Sequence, residues 1–498
     1  DGGGWADEGR AGRFRHGRAT VRKKRGGMAS VLQPRVHGEH PAIVPPSVGG
    51  VRLHRHPQAA TYHRAMPPAA PRRFTMFTVL LTALATGALV LLALNFTAGE
   101  KKVQQQLPRL YNTAHPQFER ALGSLLGPGI VGGNAVTELL NGDQIFPPML
   151  AAIKSAQKSV TFETYIYWSG DIGKQFADAL SERARAGVPV HVLLDWVGSA
   201  KMDESYLAEM KAAGVQIEKF HKPHWYNLAR LNNRTHRKLL VVDGQVGFTG
   251  GVGIAPEWTG HAQDPEHWRD SHYLVRGPVV AQMQATFLDN WLKVTGKVLH
   301  GEAYFPAIAQ DPPVGTQKAQ MFSSSPSSGS ESMQLMYHLA ITAAERSIDL
   351  SVAYFVPDEL THKLLMDALA RGVRLRLVTP GEHTDTETVK AASRATWGPL
   401  LQAGAEIYEY TPTMYHCKVM IVDQLLVSVG STNFDNRSFR LNDEANLNVY
   451  DAAFAQRQTQ VFEDDIERSR RVTYQAWLDR PLREKAHEKL TALLRSQL

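Results

Sequence analysis

The chain has 498 residues, enough for about two to three domains, and is 43% hydrophobic and 21% charged. That composition excludes a wholly disordered, collagen-like or coiled-coil protein, and the single cysteine, Cys417, excludes an intrachain disulfide or a cysteine-cluster zinc site. The net charge of +7 is uneven: residues 1–73 carry a net +10 and the rest a net −3, so overall basicity says little about the substrate of the body.

Residues 1–73 are rich in Gly, Pro, Arg and His without apolar periodicity, and are expected to form a disordered basic tail. The run Arg22-Lys23-Lys24-Arg25 reads as solvated charge. The chain opens on Asp1, and Met28, Met66 and Met76 are the expected alternative starts. The run from Phe74 to Phe96 contains no charged residue. At about 1.5 Å per residue it is long enough for a hydrocarbon layer of about 30 Å, so residues 74–97 are expected to be one transmembrane helix. Arg64, Arg72 and Arg73 before it place the N-terminus in the cytoplasm and the body on the far side, against Lys101 and Lys102. A juxtamembrane linker is expected over 98–130.

From residue 131 the pattern alternates. Val160–Trp168, Val190–Val197 and Val215–Phe220 read as strands, with helices over Ile172–Ala186 and Glu204–Ala213 between them. The order returns later: strands Ile348–Phe355, Val373–Val378 and Ala405–Tyr410 alternate with helices Glu359–Arg371 and Ser393–Ala403. The expectation is an α/β body of two homologous repeats, 131–309 and 333–498, each a mostly parallel or mixed sheet with helices on its faces. The Pro-, Gly- and Ser-rich stretch 310–332 is read as the connector.

Each repeat carries one polar constellation. His236, Lys238 and Asp243 recur with identical mutual spacing as His416, Lys418 and Asp423, in the pattern H-x-K-x4-D on a predicted strand. Period-two alternation puts His and Lys on one face. Each Asp lies at an odd offset from its His, which points it to the other face or into the turn, as scaffold. Small residues follow, Gly250-Gly251-Val252-Gly253 and Gly430-Ser431-Thr432-Asn433, with Ser431 and Asn433 as candidate phosphate contacts. Asp270 follows the first motif and Glu444 the second, each just ahead of a predicted strand and placed to accept a hydrogen bond from one imidazole and fix its tautomer. A metal is not expected, since each His neighbours a cation and no third ligand stands at metal spacing. No Ser stands in a nucleophile elbow. Cys417 alternates away from His416 and Lys418 and reads as core.

The paired motifs HRKLLVVD and HCKVMIVD, with GSTN after the second, resemble the phospholipase D superfamily. ETYIYWSGDIG, NNRTHRKLLVVDG, WRDSHYLVRGP, PTMYHCKVMIVD and STNFDNRSFRLNDE resemble bacterial cardiolipin synthases, over roughly residues 131–498. The resemblance implies two phospholipase D-like repeats forming one pseudo-twofold bilobal unit, preceded by the transmembrane helix. It implies a catalytic set of His236, Lys238, Asp243, His416, Lys418 and Asp423, supported by Asp270 and Glu444. The implied reaction is a cofactor-free, metal-free phosphatidyl transfer through a phosphohistidine at a bacterial membrane. His236 would be the nucleophile and His416 the acid and then base, with phosphatidylglycerol as substrate and cardiolipin as product. Hydrolysis or headgroup exchange by a phospholipase D is the alternative. A nuclease is disfavoured because the body is near neutral and follows an apolar span, and no nucleic-acid partner is expected. One departure stands out: Gly251 and Gly253 occupy the places of Ser431 and Asn433.

Overall fold

The computed structural model describes residues 73–97, 103, 105–220, 232–307, 313–325 and 332–494; the basic segment 1–72, with its Arg22–Arg25 run, lies outside the described residues. Helix α1 (Arg73–Thr97) covers the predicted apolar span, and its described side chains, Met76 to Leu91, are exposed. Among the described residues no helix is long and apolar enough to cross a membrane.

In chain order the body continues with α2 (Pro116–Leu126), β1 (Val131–Leu140), α3 (Asn141–Ser155), β2 (Val160–Thr164), α4 (Asp171–Arg185), β3 (Val190–Asp195), α5 (Glu204–Ala212), β4 (Gln216–Phe220), β5 (Leu239–Val242), β6 (Val246–Gly250), β7 (Ser271–Arg276) and α6 (Val279–Thr295). The second repeat runs β8 (Gln317–Ser324), α7 (Ser332–Ala343), β9 (Ser347–Val352), β10 (Phe355–Val356), α8 (Glu359–Ala370), β11 (Arg374–Pro380), α9 (Glu387–Arg394), α10 (Trp397–Gln402), β12 (Glu406–Tyr410), β13 (Lys418–Val422), β14 (Leu426–Gly430), β15 (Phe434–Asp435), α11 (Asn436–Arg440), β16 (Glu444–Tyr450), α12 (Ala452–Glu467), β17 (Ser469–Val472), α13 (Tyr474–Leu478) and α14 (Leu482–Thr491).

Among the described residues fifteen strands form one mixed sheet, ordered β17-β12-β11-β9-β13-β14-β16-β8-β1-β7-β6-β5-β2-β3-β4. The order reads alike outward from its centre, where β1 and β8 pair antiparallel. On each side follow a strand that starts at or just after an acid (β7 after Asp270, β16 at Glu444), a hairpin (β6–β5, β14–β13) and three parallel strands (β2-β3-β4, β9-β11-β12), with β17 added at one edge. This is the duplicated α/β body expected, but joined as a continuous sheet. β8 lies inside the stretch read as connector and is one of its two central strands. β2, β3 and β9 are buried at every position, polar residues included: Glu163 on β2 pairs with Thr235, and Asp349 on β9 with Arg376. One apolar core mixes both repeats, packing Tyr273, Phe287 and Trp291 with Tyr410, Val427 and Phe454. The predicted helix 393–403 is two helices, α9 and α10.

Candidate active site

The two motifs converge at the middle of the sheet. β5 starts after Lys238 and β13 starts at Lys418, so each His precedes its strand. The histidine segments are held by the opposite repeat. His236 N donates to the Asp443 carbonyl at 2.9 Å, and Asp443 N to the Arg234 carbonyl at 2.8 Å. Symmetrically, His416 N donates to the Arg269 carbonyl at 2.8 Å, and Arg269 N to that of Met414 at 3.0 Å. Two short parallel bridges, Thr235 with Asp443 and Arg269 with Tyr415, thus stitch the repeats together at the site.

That stitching decides which acid serves which imidazole. His236 Nδ1 lies 3.0 Å from both Glu444 carboxylate oxygens, and His416 Nδ1 lies 2.7 Å from Asp270 Oδ2. The pairs cross between repeats, which a comparison of spacings within each repeat does not reveal. Each acid follows the residue that bridges the opposite motif, so it reaches the opposite ring.

The acids are held differently. Ser431 Oγ donates to Glu444 Oε2 at 2.5 Å, and Asn442 Nδ2 to Oε1 at 3.4 Å. Ser431, expected at a phosphate, is fully buried and faces Glu444 instead. On the other side the Trp258 indole N–H donates to Asp270 Oδ2 at 2.9 Å. Glycine at 251 is required: a Cβ there would meet Asp270 Oδ1 at 2.2 Å, because the shorter aspartate arm draws the carboxylate against the chain. The tryptophan therefore stands in for the serine missing from the first repeat.

Lys238 Nζ donates to the His236 carbonyl at 2.8 Å. Lys418 Nζ donates to the His416 carbonyl at 2.5 Å and lies 3.1 Å from both ring nitrogens. Both imidazoles, Lys238 and Asn433 line one cavity of about 540 Å³. Asn433 lines the cavity, and its Oδ1 is buried without a hydrogen-bond partner. Aromatic rings wall the histidines: Tyr165 at 5.1 Å from His236, Trp258 at 5.2 Å and Trp268 at 5.5 Å from His416.

Burial pushes His236 down to about 4, against the pull of Glu444, and lowers His416 as well. Burial also lowers both lysines, Lys238 to about 7. Burial works to raise Asp270 and Glu444, but the imidazole and lysine near each carry both below the ordinary carboxylate value. His236 therefore rests neutral, its Nδ1–H donating to ionised Glu444, while Nδ1 of His416 faces ionised Asp270. This leaves Nε2 of each cavity-lining ring for chemistry.

The motif aspartates stand apart, which corrects their place in the catalytic set. Asp243 turns the chain at φ +55° and accepts the backbone N–H groups of Gln157, Lys158 and Ser159 at 3.0, 2.7 and 3.0 Å. Asp423 does the same for Glu345, Arg346 and Ser347 and takes Thr113 Oγ1 at 2.6 Å. Both hold the hairpin that carries the motif strand and leave the cavity to others. Cys417 is core, as read, its thiol pushed up to about 12 by burial. Arg237, between His236 and Lys238, is also buried; it donates to the Thr286 carbonyl at 2.8 Å and pairs with Asp289 at 3.0 Å. Sequence reasoning missed Trp258, Trp268, Tyr165 and Arg237, since only the crossed geometry gives them a role. Among the described residues no group of His, Cys, Asp and Glu is arranged to hold a metal ion.

The family model described as "Cardiolipin synthase, PLD-like domain" matches residues 149–291 and 338–466. A cardiolipin synthase of Geobacillus kaustophilus (strain HTA426) is 36% identical over 359 residues, covering 72% of this chain and 71% of that protein. This chain belongs to the phospholipase D-like cardiolipin synthase family. Within that family, "Cardiolipin synthase" of Alkalihalophilus pseudofirmus is 33% identical over 394 residues, covering 78% of this chain and 77% of that one. "Cardiolipin synthase 1" of Bacillus anthracis is 34% identical over 378 residues, 74% of each. The crystal structure of a phosphatidylserine synthase from Haemophilus influenzae Rd KW20 shares the phospholipase D-like fold, with a TM-score of 0.59 over 77% of this chain and all of that one, at 14% identity.

Proposed function

We propose that the protein is a phosphatidyltransferase that makes cardiolipin from phosphatidylglycerol. The observation that carries this is one cavity lined by two imidazoles, each oriented by an ionised acid of the other repeat, in a chain of the cardiolipin synthase family.

Neutral His236 Nε2 attacks the phosphorus of a first phosphatidylglycerol, forming an N–P bond while the P–O bond to the glycerol headgroup breaks. His416, engaged as the imidazolium that ionised Asp270 supports, gives its Nε2 proton to the departing glycerol oxygen, and glycerol leaves. A hydroxyl of a second phosphatidylglycerol headgroup then gives its proton to His416 and attacks the phosphohistidine, releasing His236 and cardiolipin. Glu444 supports the positive charge that develops on His236, and Asp270 that on His416. Lys238 and Lys418 neutralise charge building on the non-bridging oxygens, and the Asn433 side-chain NH2 donates to one of them. The step needs no metal or cofactor, because cations and imidazoles supply the charge and the proton.

The enzyme would sit in a bacterial cell membrane, single-pass, with α1 as the span and the body on the non-cytoplasmic side. The uncharged run 74–96 and the arginines preceding it support that placement. Incubation of purified protein with labelled phosphatidylglycerol, with products resolved by mass, tests the reading. Cardiolipin and glycerol in equal amounts are expected, in EDTA as without it. Phosphatidic acid alone would mean that water is the acceptor and the enzyme a phospholipase D.

A further inference from the structure

The C-terminal helix α14, outside the active site, is built inside out. Its acids face the body: Glu488 is 3% exposed and pairs with Arg480 at 2.6 Å, and Arg394 lies 3.4 Å from Glu484 and 3.6 Å from Glu488. Its leucines face outward. Leu482 is 81% exposed and Leu490 65%, and Leu493 in the turn that follows is 77% exposed. At about 100° per residue these three fall within about 80° of arc, opposite the acids. Arg483, Lys485 and Lys489 flank the stripe, so the outward side carries cations and no carboxylate. A helix that is merely surface decoration has the reverse arrangement. Ion pairs fix this one in place, and its outward leucines gain nothing from the fold.

We propose that α14 is an interfacial docking helix that seats the catalytic body on an anionic lipid surface. Its leucines enter the headgroup layer and its cations meet lipid phosphates. Two observations favour lipid over a second copy of the chain. A symmetric contact through this stripe would bring two sets of cations together. The face of a ten-residue helix also falls well short of the roughly 1,000 Å² that a stable dimer requires. The placement serves the chemistry as well. α14 packs on α9, and α9 begins directly after Asp385 and Thr386, which line the active-site cavity. Docking α14 would therefore hold the cavity wall near the lipid surface. The proposal is independent of which alcohol accepts the phosphatidyl group.

The test uses the full chain with an environment-sensitive fluorophore on Leu490→Cys; native Cys417 is buried and does not compete for label. The enzyme is reconstituted into phosphatidylcholine vesicles with or without brominated phosphatidylglycerol. Quenching at position 490 is expected with the brominated lipid, and none at a control label on Glu218→Cys, on the exposed edge strand β4. Adding Leu482→Glu and Leu493→Glu should abolish the quenching and lower turnover of vesicle-borne lipid about tenfold. Turnover of detergent-dispersed lipid should stay within about twofold. The proposal is overturned if position 490 stays unquenched in vesicle-bound enzyme, or if the control label is quenched equally. Equal loss of turnover in detergent overturns it too, as does a lipid-independent disulfide between two unlabelled copies of the Leu490→Cys variant. Failure to make cardiolipin would leave the quenching result untouched.

Discussion

Glu444→Gln isolates the crossed pairing. The carboxylate is fully buried, spans His236 Nδ1 with both oxygens at 3.0 Å, and accepts Ser431 Oγ at 2.5 Å. Glutamine keeps the size and one acceptor but removes the charge that supports imidazolium in the transition state. A charge-assisted hydrogen bond is worth about 1.5–3 kcal/mol, and loss of the buried countercharge adds to this. A fall in turnover of roughly 10²- to 10³-fold follows. The crossing sharpens the prediction, because in the proposed mechanism Glu444 would serve the nucleophile His236 and Asp270 the acid His416. A phosphatidyl donor with a p-nitrophenol headgroup needs no proton on leaving. Rapid-quench formation of the labelled phosphoenzyme from that donor should be slowed by Glu444→Gln as much as with phosphatidylglycerol, and far less by Asp270→Asn. The opposite ranking, or intact phosphoenzyme formation in Glu444→Gln, would refute the assignment of Glu444 to His236 as nucleophile.

Trp258→Phe keeps the ring beside His416 but deletes the N–H bonded to Asp270, so turnover should fall about tenfold with an unchanged melting temperature. Asp243→Asn removes a charge that receives three backbone N–H groups and should lower stability by about 1–3 kcal/mol, read by denaturant melts, with turnover within about threefold. Burial sets Lys238 at about 7, and its charged form exists below that value, so kcat/KM should decline as pH rises above about 7. In kcat the same limb should move upward, because bound phosphate favours the ammonium; a profile flat to pH 9 would remove Lys238 from charge neutralisation. Deleting residues 1–98 should release much of the protein from membranes on sedimentation while activity on detergent-dispersed lipid persists, and full retention of membrane binding would assign the main attachment to the body.

The sequence alone displayed the repeated motif residues and the duplication. Two H-x-K-x4-D motifs, each followed by small residues and a carboxylate, are local patterns that one chain displays without folding. Period-two reasoning also turned Asp243 and Asp423 away from the His–Lys face, to the other face or into the turn, and read Cys417 as core, because side-chain direction along a strand depends on residue count alone. What only the tertiary structure decided is which groups meet. β8 was hidden in a stretch with a linker's composition, since a central strand's partners, not its own residues, make it a strand. The pairing of His236 with Glu444 and of His416 with Asp270 arises from backbone bridges between segments of different repeats, and spacing within a repeat carries no information about them. Trp258 became legible only beside Asp270, where Gly251 leaves room for the carboxylate. Local rules fix where a side chain points along its own element. The partner at the end of it is set by the sheet that brings two distant segments into register.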